Sequence, residues 1–191
     1  MTPYKTNGEY LGAEFNWLKA RIARLNAEQA ARDGLGERHD EPRTLREEEQ
    51  RLRRDIDACL TVHRKSGGFT LGLDQLDLGP DEKILIIALV AHAISDAVGD
   101  DVLAGLGSGA SWLSAGDLGR LLDPGDIEGW LRIRPLLTPA GRLRASGVVE
   151  VRSAAYDRGA RGSLDGYFFI SKAAFATVVG QEVEADGAEP G

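Results

Sequence analysis

The stretch LDQLDLGPDEKILIIALVAHAI, from Leu73 to Ile94, decides how the rest of the chain is arranged. Gly79 and Pro80 interrupt the backbone. Proline suits the first helical position, where its missing N–H would be unpaired anyway, and Asp81 and Glu82 place negative charge at the positive end of the helix dipole. A helix is predicted from Pro80. Leu85, Ile86, Leu89, Val90 and Ala93 recur at helical spacing with Ile84 and Ile87 on the flanks, so apolar surface covers most of the circumference and the helix is expected to be central and buried. A strand competes for the same run, because Ile84 to Val90 is apolar and rich in β-branching and periodicity alone does not separate the two. The proline and the acidic start favour the helix.

Upstream, Asn7 or Gly8 is placed to cap a helix over Glu9 to Arg32, with Leu11, Phe15, Leu18, Ile22 and Leu25 forming a seam at spacings of four and three. DGLGERHDEP, from Asp33 to Pro42, has no periodic apolar residue and reads as a loop. A second helix is predicted over Arg43 to Lys65, with Leu45, Leu52, Ile56, Cys59, Leu60 and His63 on one face. Glu48 with Arg51 and Glu49 with Arg53 stand at helical pair spacing, each supporting the helix by about 0.2 to 0.5 kcal/mol. The two helices are expected to form an antiparallel hairpin over residues 1–67.

Downstream, Gly99 to Gly116 reads as a loop holding a short helical turn. Ser114 is placed to cap a helix through Leu118, Leu121 and Leu122, and Asp126 another through Ile127, Trp130, Leu131 and Ile133, broken at Pro135. Leu136, Leu137 and Leu143 are expected to pack nearby. Val148 to Arg152 and Tyr167 to Ile170 are β-rich runs expected to pair antiparallel around a long turn-rich connection. Lys172 to Val179 is a last short helix, and residues 181–191 are expected to form a disordered acidic tail. Three compact helices followed by two strands and a long loop is the order of a winged helix. The predicted class is therefore mainly α with a small antiparallel β wing (α+β), the winged-helix domain occupying residues 68–180.

Composition narrows the chemistry. The chain has 191 residues, 42% of them apolar, and a net charge of -7, which opposes whole-surface attraction to nucleic acid or anionic lipid. A single cysteine, Cys59, excludes an internal disulfide and a Cys-based zinc cluster and suits a reducing compartment. The first residues hold no apolar run of the signal-peptide kind, and Ile84 to Ile94 is too short to cross a bilayer at ~20 residues per span, so a cytoplasmic location without membrane contact is expected.

No P-loop and no G-x-S-x-G are present. Gly105, Gly107 and Ala110 imitate G-x-G-x-x-A without a preceding strand. His39, His63 and His92 fall on separate segments without ligand spacing, and Cys59 shares a face with Ile56 and His63 as a small apolar residue would. No catalytic residue, metal ligand or cofactor is assigned, and the expectation is a non-enzymatic protein.

One segment departs from the acidic background. Between Trp130 and Leu164 lie Arg132, Arg134, Arg142, Arg144, Arg152, Arg158 and Arg161 against only Glu150 and Asp157, a net charge of +5. In a winged helix these positions fall near the third helix and the wing, which meet DNA in many such domains. The alternatives are a solvated face or one that docks on an acidic protein. The predicted third helix carries few Asn, Gln or Lys groups for reading bases.

Three stretches, NGEYLGAEFNWLKARIARL, LDQLDLGPDEKILIIALVAHAI and the segment with LGRLL and RPLLTPAGRLRASGVVEV, resemble the N-terminal region of a bacterial family of AAA-type ATPases. That family includes members encoded with phage-tail-like contractile injection systems. The resemblance implies a winged-helix segment that precedes an ATPase. The ATPase module itself is absent from these residues, so no catalytic residue carries over. The resemblance thus implies an adaptor that docks on or regulates an AAA-type ATPase or an injection-system protein. The alternative is a winged-helix DNA-binding regulator acting through the arginines.

Overall fold

The computed structural model describes residues 2–34, 41–94, 96–106, 112–122, 126–152 and 166–180. The loop at 35–40 with His39, the positions Gly107 and Ala110, the connection 153–165 with Arg158 and Arg161, and the tail 181–191 lie outside the described residues.

Helix α1 (Asn7–Arg32) and helix α2 (Glu41–Lys65) form the predicted antiparallel hairpin. Thr6 rather than Asn7 or Gly8 caps α1, its hydroxyl accepting from the Glu9 N–H at 3.1 Å. Asn7 acts elsewhere, because its side-chain carbonyl accepts the Gly72 N–H at 3.0 Å from a 3-10 turn at Gly72–Leu76. The seam of α1 buries Leu11, Leu18, Ile22 and Leu25 as expected, with Tyr10 and Trp17 beside it.

The central helix is α3 (Pro80–Ile94), and every side chain from Leu85 to Ala91 is buried. Glu82 completes its start by accepting the Gly79 N–H at 2.7 Å, the reach-back half of a capping box. Ala93, expected inward, is exposed. Where a loop with one short turn is predicted, the chain forms helix α4 (Asp96–Gly105), with Val102 and Leu106 buried. Its glycine content lowers helix propensity, and burial overrides it.

Helix α5 (Ala115–Leu122) and helix α6 (Asp126–Leu137) pack on each other as a helix-turn-helix. Ser114 and Asp117 form a full capping box at the start of α5, Asp117 N–H donating to the Ser114 hydroxyl at 3.2 Å and Ser114 N–H to the Asp117 carboxylate at 2.8 Å. Helix α6 does not break at Pro135. The proline stands in the last turn, where losing one N–H costs a single backbone bond, and the helix closes with Thr138 N–H donating to Arg134 C=O at 3.1 Å.

A single turn, α7 (Arg142–Ala145), leads to strand β1 (Val149–Arg152), which pairs antiparallel with β2 (Tyr167–Ile170) in the register Val149 to Ile170 and Arg152 to Tyr167. A third extended segment, which the sequence did not announce, joins the other edge of β2. Ser114 bridges Tyr167, and Phe168 N–H donates to Leu113 C=O at 3.0 Å. Helix α8 (Lys172–Val179) closes the fold, capped by Ser171 at one end and by left-handed Gly180 at the other.

One continuous apolar cluster runs from Tyr10 and Leu18 in α1 through α3 to Phe168 and Val178. The hairpin therefore lies against the winged helix, α1 touching α3, α4, α5 and α8. At Gly72 this packing is tight enough to demand glycine, since a Cβ there would stand 2.3 Å from Thr177 C=O. A Cβ at Gly180 would come 2.4 Å from the side-chain amide of Asn7, so the end of α8 rests on the start of α1.

Candidate functional site

The α5–α6 unit is held from both sides by arginine. The C-terminal carbonyls of α5 lack intrahelical donors. Arg21 of α1 donates to Leu121 C=O at 2.8 Å, and Arg132 of α6 donates to Leu122 C=O at 2.9 Å. Arg132 also grips Asp81 at the start of α3, Nε to Oδ2 at 3.1 Å. These guanidinium groups place positive charge at the negative end of the α5 dipole.

Behind this clamp the hairpin carries two charge networks. Glu49, expected to pair with Arg53, instead meets Arg21 at 2.9 Å and Arg24, both from α1. Burial pulls the Arg21 guanidinium below its ordinary value, with Glu49 opposing. For Arg24 the same burial is outweighed by the hydrogen bonds it donates to Glu49 and Glu28, and the group stands above its ordinary value. Burial pushes the Glu28 carboxyl up, but hydrogen bonds from Arg46 and Arg24 win and hold it below the usual carboxylate range. Glu48 with Arg51 forms as expected at 2.7 Å.

The second network centres on Glu14, fully buried, with Arg53 of α2 at 3.0 Å and Lys83 of α3 at 2.9 Å. Arg53 also covers the Trp17 ring at 5.4 Å. Burial, followed by the Glu14 charge, drives the Tyr10 phenol far up. At Tyr4 burial, reinforced by Cys59 and Glu14, pushes the phenol up to about 12.

The arginines singled out in the sequence therefore divide by role. Arg132, Arg142 and Arg144 hold the fold: Arg142 reaches Asp77 at 3.2 Å and Glu82 at 3.5 Å, and Arg144 donates to Leu137 C=O at 3.2 Å. Arg134 and Arg152 are exposed and make no ion pair among the described residues, Arg152 lying over the Phe169 ring at 4.7 Å. Arg158 and Arg161 lie outside the described residues. His63 Nε2 donates a hydrogen bond to Phe69 C=O, 2.8 Å away, and His92 stacks on Trp112 at 5.6 Å. Trp112 in turn meets Phe169 at 5.2 Å, so these rings cover the outer face of the sheet.

What sequence reasoning missed is the outward side of α6. Gly129, Ile133 and Leu137 turn inward, which leaves Ile127 76%, Leu131 67% and Trp130 42% exposed. Glu128 and Arg134 flank them, both exposed and without an ion pair among the described residues. Trp130 also lines a groove of about 230 Å³ between α5 and α6, floored by Gly116 and Gly119 and edged by Asp117 and Arg120. Large exposed apolar groups gathered on one helix mark an interaction surface. The available signal was Gly129: a glycine inside a helical pattern points to close packing on its own side.

Among the described residues no helix is long and apolar enough to cross a membrane. No curated protein and no solved structure matches the chain. A family model does: with a helix-turn-helix, a two-stranded wing and a third extended segment in place, the chain belongs to the family described as "Winged helix domain, variant", whose model matches residues 1–191.

Proposed function

We propose that this winged-helix protein is a non-enzymatic docking module that meets a protein partner through the outward side of α6. The observation that carries the reading is the exposure of Ile127, Trp130 and Leu131 on the helix that, in DNA-binding members of this architecture, would present polar groups to bases. Burying such a face against water-free protein surface is favourable at roughly 25 cal/mol per Å², whereas phosphate oxygens offer it nothing. The arginines support the same reading, since Arg132, Arg142 and Arg144 already serve the fold. Given the resemblance to N-terminal regions of AAA-type ATPases, the partner is an ATPase of that type or its assembly, and the module works in the cytoplasm.

The test is calorimetric titration of the chain with a purified AAA-type ATPase from the same cell. Ile127→Asp and Leu131→Asp are each expected to weaken binding about thirtyfold, the scale of an interface hot spot. Binding that ignores both substitutions rejects α6 as the docking face. The second reading, DNA contact, is favoured by Arg134 and Arg152, exposed and free of ion pairs among the described residues. Duplex binding that falls steeply between about 50 and about 200 mM salt, and is lost in Arg134→Ala and Arg152→Ala, would replace docking with DNA recognition.

A further inference from the structure

The outward side of α6 is complementary to itself. In a helix turning about 100° and rising ~1.5 Å per residue, Glu128 lies about 60° to one side of Leu131 and ~4.5 Å before it, and Arg134 about 60° to the other side and ~4.5 Å after it. The two charges are thus placed symmetrically about Leu131. Ile127, Leu131 and Pro135 form one row at four-residue spacing through the same centre, and all three are exposed.

We propose that, in the absence of another partner, this face is covered by a second copy of the chain. The inference rests on the reading of α6 as a protein-docking face and names the occupant. A twofold axis parallel to the Ile127–Leu131–Pro135 row, in the groove beside it, sets the two rows side by side and crosses the helices at about 50°, the commonest packing class for four-residue ridges. The same axis carries Glu128 of each copy across the contact to Arg134 of the other, so the two exposed charges of one helix, without an ion pair among the described residues, are answered twice. Arg132 and Trp130 stay outside the row, the first already engaged with Asp81 and Leu122. One helix pair buries less than the roughly 1,200 Å² of a stable complex, so the dimer is weak and concentration-dependent.

Sedimentation equilibrium of the full chain between about 10 and about 300 µM tests this, with a dissociation constant expected inside that range. Glu128→Arg or Arg134→Glu alone sets like charges together twice and weakens association about tenfold; the two combined return it to within about threefold of the original. Leu131→Asp abolishes it while circular dichroism stays unchanged. A chain monomeric throughout, association that survives Leu131→Asp, or a double variant as weak as the singles overturns the proposal. The two readings fail separately. A monomer whose ATPase binding still depends on Leu131 loses the self-pairing and keeps the docking face. A dimer broken by Leu131→Asp, with ATPase binding indifferent to that change, does the reverse.

Discussion

In the hairpin, the buried carboxylates Glu14 and Glu49 are each held by two cations, and those cations come from other helices. On α6 the order is inverted: Glu128 and Arg134 stand in solvent without a partner among the described residues, and the surface between them is apolar. Desolvating a carboxylate is costly and is offset only when its partners are fixed in good geometry. Each buried acid of the hairpin therefore rewards one arrangement of α1, α2 and α3 and penalises every shifted one. The α6 face imposes no such condition on the fold, since Ile127, Leu131 and Pro135 stand exposed. One region commits its charge to internal order, and the other keeps its chemistry facing outward.

The sharpest way to break that contrast is to remove Glu14. Glu14→Ala leaves Arg53 and Lys83, themselves mostly buried, facing an apolar void, and is expected to destabilise the fold by about 3 kcal/mol in urea unfolding. A loss under about 1 kcal/mol would mean that the network is decoration.

A smaller effect carries a pH signature. Glu28 is held below its ordinary value of 4.5, so it contributes stability above that pH and loses it as pH falls through the lower folded value. Glu28→Gln should cost about 1 kcal/mol at neutral pH, and the difference from the parent protein should close as pH falls through the lowered folded value. A gap independent of pH would assign the cost to packing.

The smallest expected effect is the most telling for the comparison. Leu131→Asp should alter unfolding free energy by no more than about 0.5 kcal/mol, the range of ordinary surface changes. A large loss of stability would place Leu131 in the fold and erase the distinction between the two regions.

How much of the molecule is legible in the residues alone depends on the range over which each signal acts. The central helix was legible because Gly79, Pro80, Asp81 and Glu82 mark its start locally, and the two strands because Tyr167 to Ile170 and Val148 to Arg152 are short β-rich runs between turns. The partners of Glu49 were not, because spacing along α2 suggests Arg53 while the actual partners lie 25 and 28 residues away in α1. The third extended segment is a single bridge at Ser114, too short to leave a pattern. Helix α6 was recognised, but its apolar residues occupy nearly every side, so periodicity could not choose which to bury. Only packing against α5, with Gly129 at the contact, makes that choice. The arginines misled for a related reason, since composition counts charge without showing that Arg132 and Arg142 have already met Asp81, Asp77 and Glu82.

The contact between Asn7 and Gly180 has a mechanical consequence. Because α1 begins where α8 ends, anything tethered before residue 7 and anything continuing after residue 180 pull on the folded body at one point. The two points of attachment therefore lie side by side on the folded body. Helix α6 stands away from that point, its main contacts in the fold being with α5 and α7.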